Sequence, residues 1–248
     1  MVSDMTMQTE KKKQKRSPSE FITAPDPSEA LRIQEMLRHH CILERTIDIC
    51  EIRYVAGADA AYDQDTIYAA IVVMKFPGLE VVEKTCSVQE VMFIYIPGLL
   101  SFREGPAILG AFNNLTTVPD LIFMNGHGYA HPKRFGLASH VGLLLDIPSI
   151  GVAKHLLIGE VDLPDAARGS TEPVLEGGEI IGKAVRTVQD AKPVYVSAGH
   201  KVDLSQAVEM ALNTTTIHRI TEPVWHADLV SRQCRDKQSS SKTPYVPG

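Results

Sequence analysis

The order of apolar and polar positions predicts a strand-rich first half followed by alternating helices and strands. Apolar residues at helical spacing predict a first helix over residues 28–40. The apolar positions on or near one face of this helix are Leu31, Ile33, Met36 and Leu37. Three β-type runs follow, and their short connections favour an antiparallel meander. These runs cover residues 52–61, 67–76 and 79–88.

After the meander the apolar period changes, and helices alternate with short strands. The predicted elements are a helix at 102–115, a strand at 121–124, a helix at 136–145, strands at 149–153, 179–188 and 193–197, and a helix at 205–218. Two successive strand–helix–strand steps predict parallel pairing with right-handed crossovers. The expected fold class is therefore α/β: a mixed sheet with an antiparallel β-meander, then parallel strand–helix units, and helices on both faces.

Both ends of the chain are more polar than its middle. Residues 1–25 contain the basic run KKKQKR, and residues 233–248 are rich in serine and other polar residues. We expect a disordered basic tail over 1–25, a single domain over 26–232 and a loose tail over 233–248. The basic tail is a solvated segment, a non-specific attractor of phosphates or an import signal, and the sequence leaves these alternatives open.

Composition agrees with a soluble globular enzyme. The 248 residues are 44% hydrophobic and 22% charged. The net charge of −5 argues against a dedicated nucleic-acid binder, but not against an enzyme with a local basic patch. No apolar run approaches the 18 or so residues that span a bilayer, and the first 20 residues lack the core of a secretory signal. We therefore expect a cytoplasmic protein, with its four irregularly spaced cysteines as buried free thiols.

Three acidic residues are candidates for chemistry, and each has a simpler explanation. Asp59 lies inside an apolar strand, where a buried carboxylate needs either a salt bridge or a metal ion. Glu104 falls in the first turn of a predicted helix, where an acid also stabilises the helix dipole. Asp228 lies near the end of the predicted domain and could be an ordinary acid on a helix surface.

A polar cluster, NGHGYAHPKR at residues 125–134, ends a predicted strand. Its glycines allow the backbone to approach a ligand closely. His127 and His131 have the i, i+4 spacing of a zinc site on a helix, but two glycines and Pro132 argue against a helix here. The bases Lys133, Arg134 and Lys154 could contact phosphates, and Lys154 at a strand end is the most suggestive.

Tyr95, in a Pro-Gly loop with apolar flanks, is the one aromatic candidate. Such a side chain packs in the core or acts as a wedge between bases.

Several motifs in one order resemble the endonuclease V family. They are YIPGLLSFRE at 95–104, NGHGYAHP at 125–132, GLASH at 136–140, IGVAK at 150–154, GH at 199–200 and EP at 222–223. The resemblance extends from about residue 55 to residue 228 and implies a ribonuclease H-like fold. It also implies Mg²⁺-dependent hydrolysis, with Mn²⁺ as a substitute, of the second phosphodiester 3′ to deoxyinosine (hypoxanthine) or another deaminated base in DNA.

The products implied by the resemblance carry 5′-phosphate and 3′-hydroxyl ends, and some members of the family prefer inosine in RNA. We expect a monomer that binds damaged DNA and no membrane. A non-cleaving binder of inosine-containing or mismatched nucleic acid is the alternative function.

The resemblance also implies a role for each matching residue. The implied metal ligands are Asp59, Glu104, Asp228 and the position of Asn125, and the implied catalytic residues are Asp59, Glu104, Lys154 and His131. Tyr95, Ile96 and Pro97 would form a wedge that holds the strand open while the damaged base is turned out. The implied pocket residues are Gly98, Leu100, Gly128 and Gly151.

Three departures from the family pattern affect these expectations. Ile94 replaces the first proline of the usual Pro-Tyr-Ile-Pro, and the usual Thr-Arg is missing after Glu222-Pro. Asn125 stands where the family carries aspartate. The lost carboxylate predicts a rate lower by about a thousandfold. A substitution made to trap substrate, a natural variant of lower or compensated activity, and a non-cleaving binder all remain open.

Overall fold

An eight-stranded mixed sheet forms the centre of the protein in a computed structural model that describes residues 18–241. The strands are β1 (Tyr54–Asp63), β2 (Thr66–Lys75), β3 (Val81–Glu90), β4 (Leu121–Asn125), β5 (Ser149–Ala153), β6 (Thr171–Glu176), β7 (Glu179–Val185) and β8 (Val194–His200). The helices are α1 (Pro18–Ile22), α2 (Pro27–Leu37), α3 (Leu100–Asn113), α4 (Leu137–Leu145), α5 (Leu204–Asn213) and α6 (Glu222–Ser241).

The strand order is β3-β2-β1-β4-β5-β8-β7-β6. Strands β1 to β3 form the predicted antiparallel meander, and β4 lies parallel to both β1 and β5. Strands β8, β7 and β6 close the other side as an antiparallel group. Because β1, β4 and β5 are parallel, their carboxyl ends meet at one edge of the sheet, where ligand sites commonly form in such sheets.

Helices cover both faces of the sheet, because successive apolar side chains along its central strands point to opposite faces and both must be buried. In β1, Val55 faces a core that includes residues of α5 and α6, whereas Ala56 and Ala58 face a core that includes residues of α3 and α4. Gly57 also faces α6, and a Cβ there would overlap the carbonyl group of Pro223. The predicted α/β fold class, a mixed sheet with helices on both faces, is confirmed.

One strand and two helices, β6, α6 and α1, were missed by the sequence analysis. Strand β6 begins with Thr171-Glu-Pro, so its apolar residues do not alternate clearly and its propensity for β structure is weak. It lies at the edge of the sheet, where a proline is tolerated. Helix α6 has few apolar residues and continues to Ser241, so the loose tail predicted from residue 233 is helical up to that point. Helix α1 lies within the N-terminal tail predicted over residues 1–25, and residues 1–17 of that tail lie outside the described residues.

The buried face of α2 differs from the predicted one. Ala30, Ile33, Gln34 and Leu37 are buried, whereas Leu31 and Met36 are more than a third exposed. A short 3-10 helix, Arg38–His40, replaces the last predicted turn. The buried stripe of α2 therefore contains a glutamine.

The four cysteines are free, as expected, but their predicted burial is wrong. Cys50 is exposed and Cys41, Cys86 and Cys234 are half-buried. Within residues 18–241, every helix is too short or too polar to span a membrane.

Candidate active site at the edge of the central strands

Asp59 and Asn125 lie side by side where β1 and β4 run parallel. The Asn125 amide nitrogen donates to both carboxylate oxygens of Asp59, each at 3.0 Å. The backbone N–H of Ala60 donates to Asp59 Oδ1 at 2.8 Å. Since a carboxylate only accepts, these partners fix the orientation of the amide. Asn125 therefore acts as a hydrogen-bond donor to the buried acid.

Glu104 reaches the same edge from α3 and is also buried. It lies beyond the first turn of α3, so the proposed helix-dipole role does not apply. The Tyr62 hydroxyl donates to Glu104 Oε1 at 2.9 Å, and the Arg103 guanidinium lies over the Tyr62 ring.

Burial controls the charge of both acids. Burial, reinforced by the charge of Asp59, raises the pKa of Glu104 to about 8, against the hydrogen bond from Tyr62 and the charge of Arg103. Burial likewise raises the pKa of Asp59 to about 6, against the hydrogen bond from Asn125. The two carboxylates are close enough to repel each other in a water-poor environment.

Asp228 approaches from α6, and its charge contributes to the raised pKa of Asp59. Its carboxylate is partly exposed and pairs with Arg232 four residues later, at 2.6 Å. The departure after Glu222-Pro is accommodated without loss of the helix. Val224 is buried in the core, and Trp225 stacks on the His218 ring with centroids 3.9 Å apart.

The acids Asp59 and Glu104 fit a divalent cation. Within the part of the chain that the structure describes, neither carboxylate has a salt-bridge partner, although both are buried. Hard divalent cations take such oxygen ligands. Across residues 18–241, no three or more His, Cys, Asp or Glu side chains are already grouped so that they could hold a metal ion. An aspartate in place of Asn125 would add a third acid beside Asp59.

Lys154 follows directly after β5, next to this acidic edge. Its side chain is exposed, and its charge lowers the pKa of Asp59. Lys154 therefore brings a solvent-accessible positive charge to the acidic edge from the end of β5.

A tight turn directly precedes α3, the helix that carries Glu104, and borders a cavity of about 260 Å³. The Leu99 N–H donates to the Ile96 carbonyl at 2.9 Å, and Gly98 has a φ of 86°, which glycine adopts readily. Tyr95 is 68% exposed. The lining residues include Tyr95, Ile96, Pro97, Gly98, Leu100, His127, His131 and Leu137.

His131 lies under this turn. The Lys133 N–H donates to His131 Nδ1 at 3.1 Å, so His131 Nε2 carries the proton and donates to the Gly98 carbonyl at 2.8 Å. Burial lowers the pKa of His131 to about 4. The histidine is thus neutral at physiological pH and holds the turn in place.

Gly128 and Gly151 lie behind the cavity and do not line it. A Cβ on Gly151 would meet the backbone of Gly126, His127 and Gly128. Gly151 thus permits close packing of the 126–136 loop on β5, and Gly128, where a Cβ would overlap the Ala198 carbonyl group, permits its close packing on β8.

Two contacting residues were missed by the sequence analysis. Tyr62 contacts Glu104, and Gln34 donates to the carbonyl of Gly98 at 2.9 Å. A polar residue on the apolar stripe of α2 was the available signal for Gln34.

Comparison with known proteins places this site in context. A sequence profile of the family Endonuclease V matches residues 35–229. Endonuclease V of Dictyoglomus thermophilum is 46% identical over 205 residues, which cover 83% of this chain and 89% of that protein. The crystal structure of endonuclease V from Streptomyces avermitilis superposes with a TM-score of 0.84 at 41% identity, covering 90% of this chain and 98% of that one.

A third similar structure contains nucleic acid. A variant of Ciona intestinalis endonuclease V, bound to a 23mer DNA containing an inosine followed by a ribo-adenosine, superposes with a TM-score of 0.77 at 26% identity. The match covers 85% of this chain and 97% of that chain. The agreement of fold confirms the predicted ribonuclease H-like sheet.

Proposed function

The chain belongs to the endonuclease V family, whose members cleave DNA near deoxyinosine, and we propose that it does so with Mg²⁺ held at Asp59 and Glu104. The observation that carries this proposal is the pair of buried acids without a salt-bridge partner within residues 18–241. When bound, a divalent cation activates water and stabilises charge on the scissile phosphate. Mn²⁺ has similar ligand preferences and is the expected substitute.

The remaining ligands come from Asn125 and Asp228. The Asn125 carbonyl oxygen would be a neutral ligand, and Asp228 would add a charged one from α6. The Asn125 amide nitrogen already caps both oxygens of Asp59, so its hydrogen bonds compete with a cation for that carboxylate. We therefore assign this chain a weaker cation site than an aspartate would give, and slower cleavage.

The bond that is cut is the second phosphodiester 3′ to the damaged base, giving 5′-phosphate and 3′-hydroxyl ends. Exposed Lys154 binds the phosphate beside the acids. Tyr95, Ile96 and Pro97 separate the bases, and the extruded hypoxanthine enters the cavity beside Gly98 and Leu100. His131 supports this cavity from below through Gly98.

The substrate includes DNA with deoxyinosine and, as a second class, inosine-containing RNA. The Ciona complexes with a ribo-adenosine after the inosine support testing both. A test incubates excess protein with a deoxyinosine duplex, an inosine RNA strand and an unmodified duplex in Mg²⁺ or Mn²⁺. We expect a product of defined length from the deoxyinosine duplex and none from the unmodified one. Asp59→Ala is the control for contaminating nucleases.

A non-cleaving binder is the second candidate, and the two hydrogen bonds from Asn125 to Asp59 favour it. Tight binding of deoxyinosine DNA, with cleavage by Asn125→Asp alone, would establish this alternative. Cleavage by the unaltered chain, absent from Asp59→Ala, would exclude it.

A further inference from the structure

Gln34 connects α2 to the turn beside the cavity from a fully buried position. It is 1% exposed and lies among apolar residues that include Ile33, Leu37 and Phe135. Its side-chain nitrogen donates to the Gly98 carbonyl at 2.9 Å and to the Phe135 carbonyl at 3.3 Å. One amide group thus contacts two loops that are distant in sequence.

The chemistry of the partners fixes the orientation of this amide. Both partners are carbonyl oxygens, which only accept, so the NH₂ group must face them. The Gln34 Oε1 atom is buried and has no hydrogen-bond partner among the described residues. Leaving an acceptor unsatisfied in an apolar environment is unfavourable, so the two donated bonds are the evident role of the side chain.

Gly98 receives a second donor at the same carbonyl. His131 Nε2 donates to it at 2.8 Å from the opposite loop. The Phe135 carbonyl precedes Gly136, which caps α4 and whose N–H donates to Gly128 at 2.9 Å. Gln34 therefore ties the turn that bears Pro97 to the loop that forms the back of the cavity.

We propose that Gln34 is a positioning residue that holds this turn rigid, so that the turn can separate bases and admit the extruded one. The inference rests on the proposed function, because it assigns the turn to base separation. It predicts that Gln34 contributes to discrimination between deoxyinosine and normal DNA more than to affinity for the DNA backbone. Pre-organised groups lose less freedom on binding, so loosening this turn reduces the specific part of the affinity.

The test measures binding of the full-length chain in EDTA, where no cleavage occurs. The probes are a duplex with 2-aminopurine next to deoxyinosine and the same duplex with adenine at the lesion. Gln34→Met keeps the length of the side chain and removes the donor. We expect the ratio of the two Kd values to fall about tenfold, and most of the 2-aminopurine fluorescence increase to disappear.

Gln206 provides a matched control. It is also fully buried, its side-chain nitrogen donates to the Ile47 carbonyl at 2.7 Å, and its Oε1 lacks a partner among the described residues. Gln206→Met should lower the melting temperature by a similar amount while leaving the Kd ratio and the fluorescence within twofold. If Gln34→Met does not fold, Gln34→Leu gives the same test.

Two outcomes distinguish a failure of the role of Gln34 from a failure of the proposed function. An unaltered chain with no preference for deoxyinosine would overturn the proposed function itself. If the unaltered chain prefers deoxyinosine and a folded Gln34 variant has the same Kd ratio and fluorescence, only the role of Gln34 would be overturned.

Discussion

The Asn125 side chain supplies two hydrogen bonds to Asp59 where an aspartate would supply a second negative charge. Without a cation, two ionised carboxylates this close in a buried site repel each other. The amide relieves that repulsion and lowers the pKa of Asp59 relative to the effect of burial alone. On the proposed metal site, we therefore expect Asn125 to stabilise the metal-free state and to reduce cation affinity.

Asn125→Asp should lower the free energy of unfolding by about 1–3 kcal/mol in EDTA, because hydrogen bonds are replaced by repulsion. Mg²⁺ should then raise its melting temperature more than that of the unaltered chain, since an additional acid joins the site. Thermal unfolding with and without Mg²⁺ measures both effects. Asn113→Asp, which adds a charge at an exposed position, is the control; equal Mg²⁺ responses would refute the assignment.

Lys154 supplies a local positive charge on an acidic protein. Lys154→Gln should weaken DNA binding and reduce the slope of log affinity against log salt concentration by about 1, because one phosphate contact is lost. Binding titrations at several salt concentrations measure the slope. Lys75→Gln is the control, since Lys75 is exposed at the opposite end of the sheet. An unchanged slope for Lys154→Gln would show that it contacts no phosphate.

At the scale of elements, the position of α6 depends on a close approach to β1. Gly57 faces the first turn of α6 at Pro223, and a side chain there would overlap the helix backbone. The same helix carries Asp228 toward the acids. A small residue in β1 is therefore required for the site to be complete.

Gly57→Ala should lower the free energy of unfolding by about 3 kcal/mol, because the methyl group forces α6 off the sheet. Denaturant unfolding measures the change. Gly177→Ala is the comparison: it lies in open space at a φ of 61°, so backbone strain of about 1 kcal/mol is its only expected cost. Equal losses for the two variants would mean that α6 adjusts freely.

At the scale of the whole molecule, buried histidines make the fold sensitive to acid. Burial lowers the pKa of His140 to about 3, while His140 Nε2 donates to the Phe21 carbonyl at 2.9 Å and Nδ1 accepts from Ser101. In the unfolded chain the pKa returns to about 6.5. The unfolded state therefore binds a proton as the pH falls below about 6.5 while the folded state does not, and stability is lost in that range.

His140→Gln should lose about 2 kcal/mol less stability than the unaltered chain between pH 7 and pH 5. Urea unfolding at both pH values measures the difference. The other titrating groups are shared by both proteins and cancel. Identical losses in the two proteins would show that His140 titrates normally in the folded state.

The sequence predicted those parts of the fold that have a clear apolar period. Strands β1, β2 and β5 and helices α3 and α4 were correct within a few residues, because their periods are strong. The edge strand β6 and the polar helix α6 were missed because tertiary packing, not local pattern, holds them in place.

The candidate site was predictable only in part, for a similar reason. Asp59 and Glu104 were identified as acids in apolar or helical surroundings and by family resemblance, and they do come together. The contacts of Gln34 and Tyr62 join residues 64 and 42 positions apart, and no local pattern reports such distances. The hydrogen bonds from Asn125 to Asp59 likewise required the three-dimensional structure.

The rate of the cleavage step distinguishes a nuclease with a weakened cation site from a protein that only binds DNA. Single-turnover rates on a deoxyinosine duplex in Mg²⁺ should be compared for the unaltered chain, Asn125→Asp and Asp59→Ala. We expect slow, measurable cleavage by the unaltered chain, about a thousandfold faster cleavage by Asn125→Asp, and none by Asp59→Ala. Equal rates for the unaltered chain and Asp59→Ala would contradict the assignment of this site to cleavage.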